Sequence, residues 1–217
     1  LASQSTPLKQ DFFDVPLEEL LKVKISTVSR KPQTLSETAA AVFVISQEDI
    51  RRSSANSIPE LLRMAPGLSV ARIDGNKWSV TSRGYSGRFA DDLLVMIDGR
   101  TVYSPLFAGT FWETLDLPLE DIERVEVIRG PSGTIWGANA ANGAIHILTK
   151  HARATQGTLM TSGGGSEERG FATLRYGGQI GENLYYRLYT KGFARDNSFS
   201  PMGTNDNSRM GTVGFRV

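Results

Sequence analysis

The side chains best suited to catalysis or metal ligation in this 217-residue chain are few and poorly spaced for either. It has no cysteine, which removes disulfides, thiolate nucleophiles and thiolate metal sites together. The two histidines, His146 and His151, stand five apart, one inside an expected strand and one past it. They point to opposite faces, so they cannot chelate one ion unless the strand breaks. Asp91, Asp92 and Asp98 gather acid, but no nucleophile–base pair or ligand spacing accompanies them. Four glycines fall in "RGPSGTIWGANAANG", residues 129–143, yet the lysine and hydroxyl of a phosphate loop do not follow. The residues therefore argue against an enzyme, a resident metal and a cofactor, and the glycines need a geometric explanation.

The elements around these residues supply one. Net charge is +1, from 24 Lys+Arg against 23 Asp+Glu, so no global field draws in nucleic acid. Residues 1–36 are polar and turn-rich, and residues 37–152 read as a small mixed sheet with short helices. "AAVFVI" is a buried-strand run. Ser46 with Asp49, and Ser57 with Glu60, make two capping-box patterns opening helices at "QEDIRRS" and "IPELLRM". The second helix must stop at Pro66-Gly67. "LSVARI", "WSVTSRGY" and "DLLVMIDGR" follow as strands, Asp98-Gly99 being a hairpin turn. Asp116 and Pro118 open another short helix, and "RVEVI" and "AIHIL" are strands around the glycine-broken turn. Small residues there, such as Gly137 and Gly143, let backbone run close to a neighbour.

From 153 the pattern changes to about four strand-length, turn-separated segments without helix signals. In "LYYRLYTKGFA", Leu184, Tyr186 and Leu188 share one face, while Tyr185, Arg187, Tyr189 and Lys191 share the other. Such segregation suits the wall of a transmembrane barrel, and alternation alone suits an amphipathic soluble sheet equally. The longest apolar run, 39–45, is far short of the ~20 residues of a spanning helix, so any crossing must use strands.

Three ordered motifs carry a resemblance. "SIPELLRMAPGLSV", "SRGYSGRFADDLLVMIDGR" and "DIERVEVIRGPSGTIWGANAANGAIHILTK" together resemble the N-terminal part of a TonB-dependent outer-membrane receptor or transporter. The resemblance implies an α+β plug domain at 37–152, followed at 153–217 by the first ~4 antiparallel strands of a transmembrane β-barrel. Four strands leave edges that lipid cannot satisfy, so the chain reads as a fragment of a ~22-strand barrel protein.

The resemblance also implies function and sites. The expected activity is energised import of a scarce metal chelate, ferric siderophore being the family's commonest cargo. Cobalamin, haem or another chelate, or ligand-sensing without transport, are the alternatives. The partners would be TonB with ExbB and ExbD, the extracellular chelate and outer-membrane lipid, with the plug inside the barrel and the N-terminus periplasmic. The box that pairs with TonB matches Lys24, Ile25, Ser26, Thr27, Val28 and Ser29, whose β-branched members suit strand addition; an ordinary first strand of the plug is the other reading. Arg129 would meet glutamates of the barrel wall, or else be a solvent-facing strand end. Trp78, Arg83, Tyr103 and Phe107 would touch the ligand, by forked hydrogen bonds or stacking, although each aromatic also suits packing.

Overall fold

The computed structural model describes residues 24–25, 33–34, 41–82, 87–88, 92–199 and 203–217. The first pieces are β1 (Lys24–Ile25) and β2 (Gln33–Thr34), paired antiparallel. β3 (Ala41–Ser46) then leads directly into α1 (Gln47–Arg52). The Ser46 side chain caps Asp49 N while the Asp49 carboxylate takes Ser46 N, so the expected capping box forms. α2 (Ile58–Leu62) differs: Ser57 makes no side-chain cap, and Glu60 reaches back to Asn56 N instead, at 2.9 Å. The Ser57 hydroxyl is buried without a hydrogen-bond partner among the described residues, so the pattern is present but its geometry is not.

β4 (Leu68–Arg72) and β5 (Trp78–Ser82) form a two-stranded sheet of their own. β6 (Leu93–Ile97) turns at Asp98-Gly99, both at positive φ, into β7 (Arg100–Thr101). A second small hairpin follows, β8 (Tyr103–Ser104) and β9 (Gly109–Thr110). The helix expected at Asp116 is instead a 3-10 turn at Leu119–Asp121 begun by Pro118, because the Asp116 carboxylate is engaged elsewhere. β10 (Ile122–Arg129), α3 (Gly133–Trp136) and β11 (Gly143–Thr149) complete the domain. The "glycine-broken turn" thus contains a helical turn.

The main sheet runs β3-β10-β11-β6-β7, with β11 and β6 parallel and the other pairs antiparallel. One face packs Ile45, Val125, Val127, Ile145 and Ile147 against Ile50, Leu61, Leu62, Trp78 and Trp112. The other buries Leu94, Met96, Ile128 and Ala144 under Ala140. Gly143 answers the question its motif raises. Its φ is +149°, and a Cβ there would lie 2.4 Å from the Ile128 carbonyl oxygen. Gly143→Ala should therefore lower stability by about 1–3 kcal/mol, read as a fall in the thermal unfolding midpoint.

β12 (Gly157–Gly163), β13 (Glu168–Ile180), β14 (Leu184–Arg195) and β15 (Ser208–Arg216) form a separate antiparallel meander in that order. The alternation read from sequence is realised. Met160, Leu174, Tyr176, Leu184, Leu188, Val213 and Phe215 are exposed on the outer face, whereas Thr173, Arg187 and Lys191 are buried against the first domain. Register is pinned by three aromatic rings lying over directly opposed glycines: Phe171 on Gly163, Tyr186 on Gly178 and Tyr189 on Gly214. Each glycine leaves room that a Cβ would take from the ring. Among the described residues no helix is long and apolar enough to cross a membrane.

Candidate functional site

Tyr103 and Phe107 lie together on the hairpin at 103–110, where Tyr103 is half-buried in β8 and Phe107 is exposed beside the more exposed Leu106. Phe107 meets Phe111 edge-on with ring centroids 4.8 Å apart. The Arg88 guanidinium stands 6.0 Å from the Phe111 ring and pairs with Glu113. The hairpin tip is thus aromatic and exposed, while the charge at its base is already partnered. Trp78 is not part of this group. It is buried in the core, with Arg63 and Arg72 guanidinium groups 5.4 and 6.0 Å from its ring centroid. Arg83 lies outside the described residues. So do Ser26, Thr27, Val28 and Ser29, while Lys24 and Ile25 pair with Thr34 and Gln33.

Arg129 ends β10 with its Nε buried and without a hydrogen-bond partner among the described residues. Its Cδ would touch a Cβ added at Gly67, so the stem packs on the turn after α2. Both histidines accept from backbone. His146 Nε2 takes Gly99 N at 2.9 Å, and His151 Nδ1 takes Arg153 N at 3.2 Å. Burial pushes the His146 pKa below its ordinary value, against the opposing pull of Glu126 and Asp98, and so favours the neutral ring that can accept.

The densest chemistry lies where the first domain meets the strand wall. Asp121, itself buried, holds Arg175 at 2.6 Å and Arg187 at 3.3 Å. Asp116 holds Lys191 at 2.6 Å, and that ammonium also donates to the Leu117 carbonyl. Asp98 accepts Thr149 N and Oγ1 at 2.8 and 2.7 Å, and pairs with Arg216 at 2.7 Å. Asp98 is thus a turn residue and a docking residue at once. At the other end of the wall the Glu168 carboxylate takes Asn56 Nδ2 and Arg195 Nε, while Asp206 accepts Gly75 N. Three acids from one domain therefore meet four cations from the inner face of the other. Sequence reading found the cations by alternation but not the acids, whose signal was only their position at strand ends and turns.

Residues 34–144 match the TonB-dependent Receptor Plug Domain family. The chain belongs to the TonB-dependent receptors. A vitamin B12 transporter, BtuB, of Vibrio cholerae serotype O1 is 30% identical over 214 residues, covering 97% of this chain and 34% of that protein. The siderophore receptor PirA of Pseudomonas aeruginosa superposes with a TM-score of 0.57 at 27% identity, over 82% of this chain and 32% of that one. The ferripyoverdine receptor of the same organism's outer membrane gives a TM-score of 0.62 at 21% identity, over 79% and 22%, a likeness of fold. The chain spans about a third or less of the length of these relatives. In this receptor the mixed sheet is the plug, and β12–β15 are strands of a larger barrel. Buried Asp121, half-buried Asp116 and exposed Asp98 join the plug to the cationic face of those strands.

Proposed function

We propose that this receptor imports a metal chelate across the outer membrane with energy delivered by TonB, a ferric siderophore being the cargo. One observation carries the reading: the plug docks by ion pairs on the cationic face of strands whose opposite face is apolar and exposed. That is the arrangement of a stopper inside a membrane-embedded wall. The short turn at 181–183, between β13 and β14, then faces the periplasm, and the opposite ends of these strands face outward, following the usual asymmetry of such barrels. The exposed Phe107 ring at the hairpin tip suits stacking on a flat chelate. Arg129, half-buried with its Nε lacking a hydrogen-bond partner among the described residues, is set to meet carboxylates of further barrel strands. The relatives named as vitamin B12 transporters make cobalamin the second cargo to test.

The decisive experiment compares uptake of radiolabelled ferric siderophores and cobalamin by cells expressing the full-length receptor, with and without TonB. TonB-dependent iron uptake is expected. Cobalamin uptake alone would change the cargo, and uptake indifferent to TonB would remove the mechanism. The coupling segment has its own test. A peptide "KVKISTVSRK" should bind a TonB C-terminal domain by strand addition, and Ile25→Pro should abolish the calorimetric signal by deleting a main-chain donor. Equal binding by both peptides would assign the segment to the plug instead.

A further inference from the structure

His146 sits at the centre of a row of residues that crosses the whole plug sheet on one face. Directly opposed partners place Val44, Glu126, His146, Met96 and Thr101 side by side on β3, β10, β11, β6 and β7. Glu126 is fully buried and pairs with Arg124 at 2.9 Å, and His146 is itself buried. A backbone N–H can only donate, so the 2.9 Å contact from Gly99 N requires a lone pair on His146 Nε2. The ring is therefore neutral, with its proton on Nδ1. An imidazolium carries N–H at both nitrogens and would set its Nε2–H against the Gly99 N–H.

Gly99 belongs to the turn between β6 and β7, where Asp98 and Gly99 have φ of +48° and +79°. Asp98 N donates to the Ile147 carbonyl at 2.9 Å, its carboxylate accepts from Thr149, and Gly99 N goes to His146. Of these contacts only the last depends on a side chain that ordinarily titrates near neutral pH. The same Asp98 carboxylate pairs with Arg216 on the wall.

Among the described residues, the charges facing the ring are Glu126 and Arg124 from β10 and Asp98 from the turn. Val44, Met96 and Thr101 bring none. Burial chiefly, with Arg124, opposes a proton on the ring, and Glu126 and Asp98 favour it, so the pKa falls below its ordinary 6.5. The stability held in the neutral ring is full above 6.5 and is lost as pH falls from there through the folded value. A protonated ring has Glu126 and Asp98 to answer its charge, and the exposed Gly99 amide takes water in exchange. The turn lets go while the sheet stays folded.

We infer that His146 is a proton switch on the plug: neutral, it fastens the Asp98–Gly99 turn, and protonated, it releases the turn that carries the pair with Arg216. The inference goes beyond import, and its test requires neither a cargo nor TonB.

The full-length receptor is reconstituted in lipid, and hydrogen exchange is read by mass spectrometry on a peptide spanning 97–102. Rates are corrected for the intrinsic effect of pH on exchange. From about pH 7.5 to about pH 5, protection of that peptide in the wild type should fall several-fold more than that of β10 peptides. His146→Gln keeps a side-chain acceptor and has no proton to gain, so its protection should hold across the range. His146→Phe has no acceptor, so the peptide should exchange fast at both ends of the range. Asp98 and Glu126 are intact in both variants. A fall that persists in His146→Gln therefore belongs to those carboxylates and overturns the inference. Should His146→Gln fail to fold, a pH step retained by His146→Phe overturns it equally, and its absence there supports it. Wild-type protection that is flat across the range also overturns it.

Discussion

Asp121→Ala in the full-length receptor should weaken plug docking by about 3–5 kcal/mol, more than any other single change on the plug surface. The carboxylate serves two cations at once, and the Arg175 and Arg187 side chains are only 11% and 5% exposed. Removing it leaves two guanidinium groups in poor contact with water, and desolvated charge without a partner is the costly case. Arg187 also faces Arg216 directly across the β14–β15 ladder, so Asp121 and Asp98 hold apart two like charges. By contrast, Glu48 on α1 pairs with Arg51 and Arg52, which lower its pKa to about 2, yet those arginines are 61% and 47% exposed. Glu48→Ala should leave docking unmoved, because solvent screens such pairs. The check is resistance of the plug to proteolysis across a urea series, with a double-mutant cycle adding Arg187→Met. The double variant should lose less than the sum of the singles, since one stranded cation is gone. Additive losses would mean that Asp121 and Arg187 are not coupled.

Much of this architecture is legible in the sequence because it follows from local rules. Strand period places Leu184 and Leu188 opposite Arg187 and Lys191 without knowledge of a partner. The Ser46–Asp49 capping box and the Asp98-Gly99 turn form because every atom they need lies within a few residues. What escapes is non-local. Asp116 reads as a helix start, yet its carboxylate is drawn to Lys191 across the domain boundary. Ser57 and Glu60 read as a box, yet packing buries the serine and turns the glutamate toward Asn56. Trp78 reads in sequence either as a ligand contact or as packing, and β5 is buried along its whole length with the ring in the core. Side-chain type alone cannot distinguish a stacking platform from a packed one. The aromatics at Tyr103 and Phe107 remain grouped because a hairpin, itself a local structure, carries both.

The two faces of β14 should respond oppositely to charge. Leu188 is 52% exposed, and its ladder neighbours on the same face are Tyr176 and Phe215, themselves exposed. If, as proposed, hydrocarbon is the solvent of this face, Leu188→Arg sets a guanidinium against lipid tails at a cost of ~2–4 kcal/mol near the midplane. Snorkelling toward an interface lowers that figure if the position lies high or low in the band. Arg187→Gln, one residue away, meets no lipid. Its loss is that of the Asp121 contact and the Lys150 carbonyl bond, so it should weaken plug docking while leaving the barrel's own folding stability nearly unchanged. The measurement is folding of both full-length variants into lipid vesicles of two hydrocarbon thicknesses. The Leu188→Arg penalty should shrink in the thinner bilayer, where the charge reaches water more easily, and Arg187→Gln should not vary with thickness. A thickness-independent penalty at Leu188, or a thickness-dependent one at Arg187, would mean that the outer face of β12–β15 contacts protein or water instead of lipid.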